Sequence, residues 1–287
     1  MRQYQSLIEM VEEGVVPVGM QCFTGDHTLI EVLGATGFDY VWLDSEHSAI
    51  NPRALEDTMR TCEVAGLIPL VRIPDPDDST AARRALEAGA SPVIVPMVRS
   101  AGDVRDLIEA LRFPPRGSRG LCPALRVPGF TMTGFPDYMR HSDGEALVIP
   151  MIETVEALAE VEEIFAIDEV KVSVLATGEL AYAMGELPDS SPKVREAQER
   201  VRAVAHENGV ALIGGNIMNP TTENLTQALE EGVSIFCLGL DVMAFRLRCE
   251  TVLGAADAAV GSFPGLDRPV APRSGFPWLA DAAPAGS

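Results

Sequence analysis

The feature that most constrains the fold is a regular alternation of short apolar segments with segments of helical periodicity. An apolar run of four to eight residues bounded by turn signals indicates a buried parallel strand, and the helical segments provide the crossovers between strands. The predicted strands are residues 15–22, 38–44, 68–72, 93–97, 147–153, 170–175, 210–216 and 234–241. The predicted helices are residues 3–13, 26–34, 52–65, 78–88, 101–111, 154–164, 192–208, 221–230 and a last one ending near residue 253. Eight strands that are mostly followed by helices predict a (β/α)8 TIM barrel.

The length of the chain agrees with this architecture, because a single barrel of about 250 residues is ordinary. The sequence shows no internal boundary, so we predict one barrel domain over residues 1–254 of the 287. Ala, Pro, Gly and Ser dominate after it, and we expect residues 255–287 to form an extended C-terminal tail. Phe263, Phe276 and Trp278 are embedded in this tail and could attach it to a subunit interface.

Charge and composition exclude several classes of partner. The formal net charge is −20, from 22 basic and 42 acidic side chains, which argues against nucleic acid or an anionic membrane as a partner. The sequence contains no run of 18 apolar residues that would indicate a membrane span, and the first residues lack the apolar core of a signal peptide. The five cysteines are scattered without a Cys-x-x-Cys pair, as is typical of free thiols in a reducing compartment. We therefore expect a cytoplasmic protein.

The alternation of strands and helices is interrupted at residues 113–140, which are rich in Pro, Gly and Arg. A loop of this length in a compact domain is usually functional or disordered. Its arginines stand out in so acidic a chain: Arg112, Arg116, Arg119 and Arg126. They could bind a carboxylate or a phosphate, or they could make salt bridges between subunits, and both interpretations remain open.

Ionisable residues collect at the carboxyl ends of the predicted strands, where barrel enzymes place their chemistry. These residues are Asp44, Glu46, His47, Arg72, Glu153, Glu179 and Asp241. A carboxylate such as Asp44 close to His47 can fix the tautomer of the imidazole and raise its basicity, as a general base requires. Glu153 and Glu179 could hold a hard divalent cation, with water and substrate oxygens completing the coordination. Each residue could instead form an ordinary salt bridge at the rim or cap the helix that follows.

Several of these segments resemble a known family. They are residues 37–47 (GFDYVWLDSEH), 71–72, 95–98, 112–120 (RFPPRGSRG) and 152–154. The chain resembles, over most of residues 14–250, the 4-hydroxy-2-oxoheptanedioate aldolase family of metal-dependent pyruvate aldolases, which is related to citrate lyase beta subunits and macrophomate synthase. This resemblance implies a carbon–carbon lyase that works through a metal-stabilised enolate of pyruvate or a related 2-oxo acid.

The resemblance also implies a role for individual residues. Glu153 matches the first metal carboxylate of the family, and His47 matches its catalytic base. Asp44 matches the partner that orients this base, and Arg72 matches the group that contacts the pyruvate oxygens and steadies the enolate. A cation and an arginine on the keto oxygen would stabilise the negative charge of the enolate.

The implied cofactor is a divalent metal ion, Mg²⁺ or Mn²⁺, with Co²⁺ as a further option. No lysine stands at a strand end in a Schiff-base position, since Lys171 lies at the start of the sixth strand, and this favours the metal route over imine chemistry. The implied partners are a small 2-oxo acid and an aldehyde. The resemblance further implies a homo-oligomer, often a hexamer of dimers that exchange their last helix.

Two positions depart from the family pattern. The second metal ligand of the family is an Asp in a Gly-Pro-x-Asp-Leu-Ser turn, whereas residues 176–181 here read Ala-Thr-Gly-Glu-Leu-Ala and place Glu179 at that position. In the family this turn receives the substrate carboxylate, so Thr177 and Gly178 are predicted substrate-binding residues. Met151 stands where the family usually carries a Gln that contacts the substrate. Two alternatives therefore remain: a barrel repurposed to decarboxylate, hydrolyse or cyclise a larger acid, and a non-catalytic barrel subunit.

Overall fold

The structure is a computed structural model that describes residues 7–90, 92–144, 148–187, 191–215 and 217–267. The chain divides into two compact units, Met1–Asp241 and Val242–Ser287. The first unit contains all eight strands, and the second contains most of the last helix. The predicted boundary of the barrel domain at residue 254 stays a prediction.

The strands of the first unit form a closed barrel in which every neighbouring pair is parallel and β1 pairs with β8. The strands are β1 Val18–Cys22, β2 Tyr40–Asp44, β3 Ile68–Arg72, β4 Val93–Val95, β5 Val148–Ile152, β6 Val172–Leu175, β7 Ala211–Gly214 and β8 Val233–Leu240. The predicted (β/α)8 barrel is therefore confirmed.

Helices connect consecutive strands, and several begin at a residue whose side chain caps the helix. They are α1 Leu7–Glu12, α2 His27–Thr36, α3 Pro52–Ala65, α4 Ser79–Ala88, α5 Ala101–Leu111, α6 Phe135–Gly144, α7 Val155–Ala159, α8 Val161–Phe165, α9 Thr177–Ala183, α10 Pro192–Asn208, α11 Thr222–Glu230 and α12 Asp241–Gly261. Asp26, for example, caps α2 by accepting the backbone N–H of Leu29 at 3.1 Å. None of the helices in the described part of the chain combines the length and apolar character needed to cross a bilayer.

The helix predicted over residues 154–164 is in fact two short helices that meet at Glu160. The backbone of Glu160 is non-helical, with φ −104° and ψ 20°. Its carboxylate accepts the backbone N–H of Ala101 at 2.9 Å, at the start of α5. A contact between distant parts of the chain therefore accompanies a break that local periodicity does not reveal.

The expectation of an extended tail from residue 255 is wrong for residues 255–261, which continue α12 to Gly261. This stretch is rich in alanine, the residue with the highest helix propensity, so the helix continues past the predicted end near residue 253. Residues 268–287, with Phe276 and Trp278, lie outside the described residues.

The Arg-rich segment that interrupts the alternation of strands and helices contains a helix, α6, and a buried arginine. The guanidinium of Arg119 lies over the ring of Phe113, with its Cζ 4.5 Å from the ring centroid. It donates hydrogen bonds to the Tyr138 hydroxyl at 2.9 Å and to the Ser142 hydroxyl at 3.1 Å. Phe113 also packs edge-on against Phe135. Arg119 thus stabilises the segment from within.

Strand alternation separates the core into two layers, because successive side chains on a strand point to opposite faces. The layer inside the barrel includes Tyr40, Trp42, Leu70, Ile94, Ile149, Met151, Val174, Ile213 and Ile235. The layer between strands and helices includes Val41, Leu43 and Val71 with the apolar faces of the helices. Asp44, Arg72 and Glu153 come two residues after Trp42, Leu70 and Met151 of the inner layer. At the carboxyl ends of β2, β3 and β5 they therefore point in the same inward direction.

Gly19 provides a test of packing inside the barrel. A Cβ at this position would lie 2.3 Å from ring atoms of Tyr40, whose hydroxyl donates to the carbonyl oxygen of Phe236 at 2.9 Å. We expect Gly19→Ala to lower the free energy of unfolding by about 1–3 kcal/mol, because the buried ring has to move. Urea denaturation measures the change. In the control Gly254→Ala, the new methyl meets no atom within 4 Å, and an equal loss there would contradict the packing argument.

Candidate active site

Asp44 is the centre of a hydrogen-bonded network at the carboxyl ends of β1, β2 and β3. Its side chain is fully buried, and its Oδ2 accepts hydrogen bonds from Gln21 Nε2 and Arg72 Nε, both at 2.7 Å. Its Oδ1 accepts the backbone N–H of Glu46 at 3.1 Å and of His47 at 2.7 Å. Asp44 therefore ties the loop after β2 to the two neighbouring strands.

Arg72 is held between two carboxylates. A second guanidinium nitrogen, Nη2, also bonds Asp44, and Nη1 lies 2.9 Å from Glu46 Oε2. The side chain is 5% exposed, and its Cζ lies 5.6 Å from the centroid of the Trp42 ring. These contacts fix the guanidinium in one orientation at the rim of the barrel, as recognition of a planar carboxylate or keto acid requires.

His47 lies on the loop that Asp44 holds, and its side chain is 64% exposed. The carboxylate nearest to the imidazole is that of Glu46, whose Oε2 lies 3.6 Å from Nε2. Asp44, the predicted orienting partner, reaches His47 through the backbone N–H and not through the ring. Sequence spacing indicated that a carboxylate would adjoin the histidine but did not distinguish Glu46 from Asp44.

Glu153 follows β5 and is 4% exposed. Its Oε1 accepts the backbone N–H of Met97 at 2.5 Å, and Met97 adopts a left-handed conformation with φ 50°. Burial raises the pKa of Glu153 to about 7, and the charges of Glu46 and Glu179 add to the shift, while the Met97 N–H opposes it. The pKa of Glu46 is also raised, by burial and then by Asp44 and Glu179, against the opposing charges of Arg72 and His47.

The carboxylates at this rim suit a hard divalent cation. Glu179 lies exposed in the first turn of α9, close enough for its charge to raise the pKa of both Glu46 and Glu153. Glu153 and Glu179 offer only oxygen donors, the type that Mg²⁺ and Mn²⁺ prefer. Among the described residues, no group of three or more His, Cys, Asp or Glu side chains forms a ready-made cage. Two carboxylates would leave most coordination positions of such a cation to water and substrate oxygens.

Besides Arg72, the predicted substrate-binding residues are Met151, Thr177 and Gly178, and they occupy two places at the same rim. Met151 is 2% exposed and faces into the barrel, two residues before Glu153. Thr177 and Gly178 begin α9, and a Cβ at Gly178 would meet no atom within 4 Å, so the space before this turn is open. Gly215 at the end of β7 adjoins the turn, since a Cβ there would lie 3.8 Å from Thr177 Oγ1.

Asp241, the last carboxylate predicted at the rim, performs a different task. It accepts hydrogen bonds from the backbone N–H groups of Phe23 and Thr24, both at 3.0 Å, from the Thr24 hydroxyl at 2.6 Å and from the Cys22 thiol at 3.3 Å. Burial alone would raise its pKa, but these hydrogen bonds hold the pKa of Asp241 below its ordinary value. Its charge thus stabilises the junction of β1 and β8.

Sequence analysis missed Gln21, which donates directly to Asp44. The available signal was its place in β1, two residues after Gly19 on the inward face and opposite Trp42 in the strand register. A polar residue at an inward position near a strand end is a candidate site residue in a barrel.

The chain was compared with known protein families, characterised proteins and solved structures. Residues 19–247 match the family described as HpcH/HpaI aldolase/citrate lyase. A hydroxypyruvate/pyruvate aldolase of Agrobacterium fabrum is 30% identical over 272 residues, which cover 93% of this chain and 96% of that protein. A 2-dehydro-3,6-dideoxy-6-sulfogluconate aldolase of Pseudomonas putida is 29% identical over 252 residues, covering 86% and 94%.

The fold has a close counterpart in the crystal structure of macrophomate synthase. The TM-score is 0.82 at 23% identity, over 92% of this chain and 94% of that one, and at this identity the likeness concerns the fold alone. The family match spans most of the barrel, from β1 into α12. On this ground the chain belongs to the HpcH/HpaI aldolase/citrate lyase family, and the predicted family resemblance is confirmed.

Proposed function

We propose that the protein is an aldolase that makes or cleaves a carbon–carbon bond next to the keto group of pyruvate or a related 2-oxo acid. The family match and the activities of the two relatives support the reaction class. The observation that carries the proposal is the fixed guanidinium of Arg72 beside the buried carboxylate of Glu153 at one barrel rim. An enolate requires such a pairing of a positive group with a hard-cation ligand.

Each residue then has a defined task. Arg72 has five N–H donors, and those not taken by Asp44 and Glu46 can bind the carboxylate and keto oxygens of the acid. His47 is exposed and can accept the methyl proton, and the nearby Glu46 carboxylate stabilises the imidazolium that results. Asp44 fixes the position of the loop that carries His47 relative to the guanidinium of Arg72.

Glu153 and Glu179 would hold the divalent cation, Mg²⁺ or Mn²⁺ with Co²⁺ as an option, and Thr177 and Gly178 would adjoin the substrate carboxylate. When bound, the cation would polarise the keto oxygen and stabilise the negative charge of the enolate. The second substrate would be an aldehyde that approaches from the open side of this rim.

Met151 supports a second candidate function. Its thioether replaces a polar group with an apolar one immediately below Glu153. A barrel with this apolar side chain beneath the site could decarboxylate, hydrolyse or cyclise a larger acid at the same arginine and carboxylates. The buried carboxylate of Glu153 argues against a non-catalytic subunit, since burial that raises its pKa to about 7 costs stability without a cation to bind.

We also propose a homo-oligomer in the cytoplasm. In the second unit, α12 exposes Phe245, Val252 and Leu253, with 70%, 51% and 48% of their surfaces accessible. Apolar side chains in such number on one helix favour burial against another subunit, as in a hexamer of dimers that exchange this helix. The free cysteines, among them the buried Cys22, suit a reducing compartment.

Loss of the pyruvate methyl signal in deuterated water tests the enolate chemistry. We expect exchange with Mg²⁺, none with a chelator, and a rate lowered by about 10²–10⁴ in His47→Ala, because that substitution removes the base. The control is His206→Ala, an exposed histidine on α10.

Exchange that persists in His47→Ala would refute the assignment of the base. A folded protein that shows no exchange with any metal would favour the second candidate. In that case, exchange gained by Met151→Gln would identify the apolar side chain of Met151 as the cause of the missing exchange.

A further inference from the structure

A cavity of about 430 Å³ opens at the amino-terminal ends of the strands, on the face opposite to the candidate active site. It lies between α5, the segment that follows this helix, and the segment that precedes β6. Its lining residues are Arg105, Ile108, Glu109, Arg112, Pro115, Arg116, Gly117, Ile167 and Glu169. The volume is within the range of small-molecule sites, roughly 300–1,000 Å³.

Three arginines line this cavity. Arg105 lies on α5, Arg112 is the extended residue that ends this helix, and Arg116 follows on the next segment. The lining carboxylates are those of Glu109 and Glu169. The lining therefore carries one more positive than negative group in a chain whose formal charge is −20, which favours an anion here.

Arg112 has hydrogen-bonding capacity that the protein does not use. The residue is 9% exposed, and its Nη1 pairs with Glu169 Oε1 at 2.7 Å. Its Nε is buried without a hydrogen-bond partner. A buried N–H without an acceptor costs free energy, so an acceptor supplied by a ligand would be stabilising.

The walls of the cavity are held in place by backbone hydrogen bonds and close backbone contacts as well as by side chains. Ser118 donates its backbone N–H to the carbonyl oxygen of Glu109 at 3.0 Å, and Arg119 donates to that of Arg112 at 2.8 Å. Gly117 lies so close to α5 that a Cβ would be 2.1 Å from the Glu109 carbonyl oxygen. Arg116 is anchored by a bond from its Nη1 to the carbonyl oxygen of Asp143 at 3.2 Å.

We propose that this cavity is a second binding site, specific for a small oxyanion, remote from the carbon–carbon lyase site. The ligand is a phosphate or a carboxylate whose oxygens accept from Arg105, Arg112 and Arg116. Ile108, Pro115 and Ile167 leave room for a short carbon skeleton beside the charged group. This answers the open question about the Arg-rich segment: Arg112 and Arg116 take part in anion binding, while Arg119 is structural and Arg126 pairs with Glu63.

Isothermal titration calorimetry tests the site with two probes, inorganic phosphate and succinate, each at constant ionic strength and with a chelator present. We expect saturable one-to-one binding of at least one probe. The double variant Arg105→Gln/Arg116→Gln should weaken it by about a hundredfold or more, because each lost charge-assisted hydrogen bond costs about tenfold or more in affinity. The matched control is Arg60→Gln/Arg140→Gln, two exposed arginines that pair within their own helices.

Binding of phosphate alone, or of succinate alone, would identify the chemical class of the ligand. The proposal is overturned by the absence of saturable binding of either probe, or by equal affinity in the wild type and the Arg105→Gln/Arg116→Gln protein. Circular dichroism shows that each variant is folded. The site is independent of the lyase reaction: anion binding should persist in Glu153→Gln, and methyl exchange should persist in Arg105→Gln/Arg116→Gln.

Discussion

Arg72→Met is expected to lower the free energy of unfolding by about 3–5 kcal/mol and to abolish methyl exchange on pyruvate. The substitution keeps an unbranched side chain over Trp42 but leaves Asp44, which is fully buried, and Glu46 without their positive partner. Breaking a buried ion pair from one side costs this much because an uncompensated charge stays in the interior. Urea denaturation at neutral pH measures the loss of stability.

The surface pair of Arg60 with Glu56 provides the control, since Arg60→Met should cost less than about 1 kcal/mol. A second variant separates charge from packing: Arg72→Met/Asp44→Asn should recover part of the lost stability, because it neutralises the orphaned carboxylate. Equal stability of wild type and Arg72→Met would contradict the network that centres on Asp44.

Glu153→Gln is expected to weaken metal binding strongly and to slow methyl exchange by about 10²–10³, the loss typical of removing one electrostatic group from an active site. The amide keeps the size of the side chain but not its charge. Mn²⁺ affinity, followed by electron paramagnetic resonance of the free ion, gives a readout that does not depend on turnover. The fold should not be destabilised, since the substitution removes a charge whose burial raises the pKa to about 7.

The control for this variant is Glu156→Gln, an exposed position in the first turn of α7. Wild-type Mn²⁺ affinity in Glu153→Gln would refute the ligand assignment.

The same raised pKa predicts how metal affinity depends on pH. A cation requires the deprotonated carboxylate and competes with the proton for it. With a pKa of about 7, Glu153 is mostly protonated at pH 6 and mostly ionised at pH 8, so Mn²⁺ affinity should rise with pH up to about pH 7 and then level off. The slope below pH 7 should approach tenfold per pH unit and should vanish in Glu153→Gln.

Much of the candidate site follows from the strand ends, which the sequence displays directly as the ends of apolar runs. Asp44, Arg72 and Glu153 each come two residues after an apolar residue of the inner layer, namely Trp42, Leu70 and Met151. Period-two alternation and the end of an apolar run are local properties, so neighbouring residues in the chain suffice to identify the rim. The partners of the rim residues cannot be identified in this way, because they depend on which strands adjoin.

Gln21 illustrates the difference. It is separated from Asp44 by 23 residues, and the pairing of β1 with β2 brings the two side chains to 2.7 Å. Likewise, the fold decides that Asp44 and Glu46 share the guanidinium of Arg72, while Glu46 is the one of the two that lies beside the imidazole of His47. The arginines of residues 112–126 look alike in sequence, yet tertiary contacts bury Arg119 between aromatic rings and leave Arg116 exposed at a cavity.

The sequence by itself determined the barrel, the order of its strands and the ionisable residues at the carboxyl ends of the strands, because periodicity and strand ends are encoded by neighbouring residues. Only the tertiary structure decided which carboxylate pairs with which cation, where the helix over residues 154–164 breaks, and how far burial raises the pKa of Glu153. These properties arise from groups that are distant in the chain and share one space, and electrostatic and packing energies depend on that spatial distance.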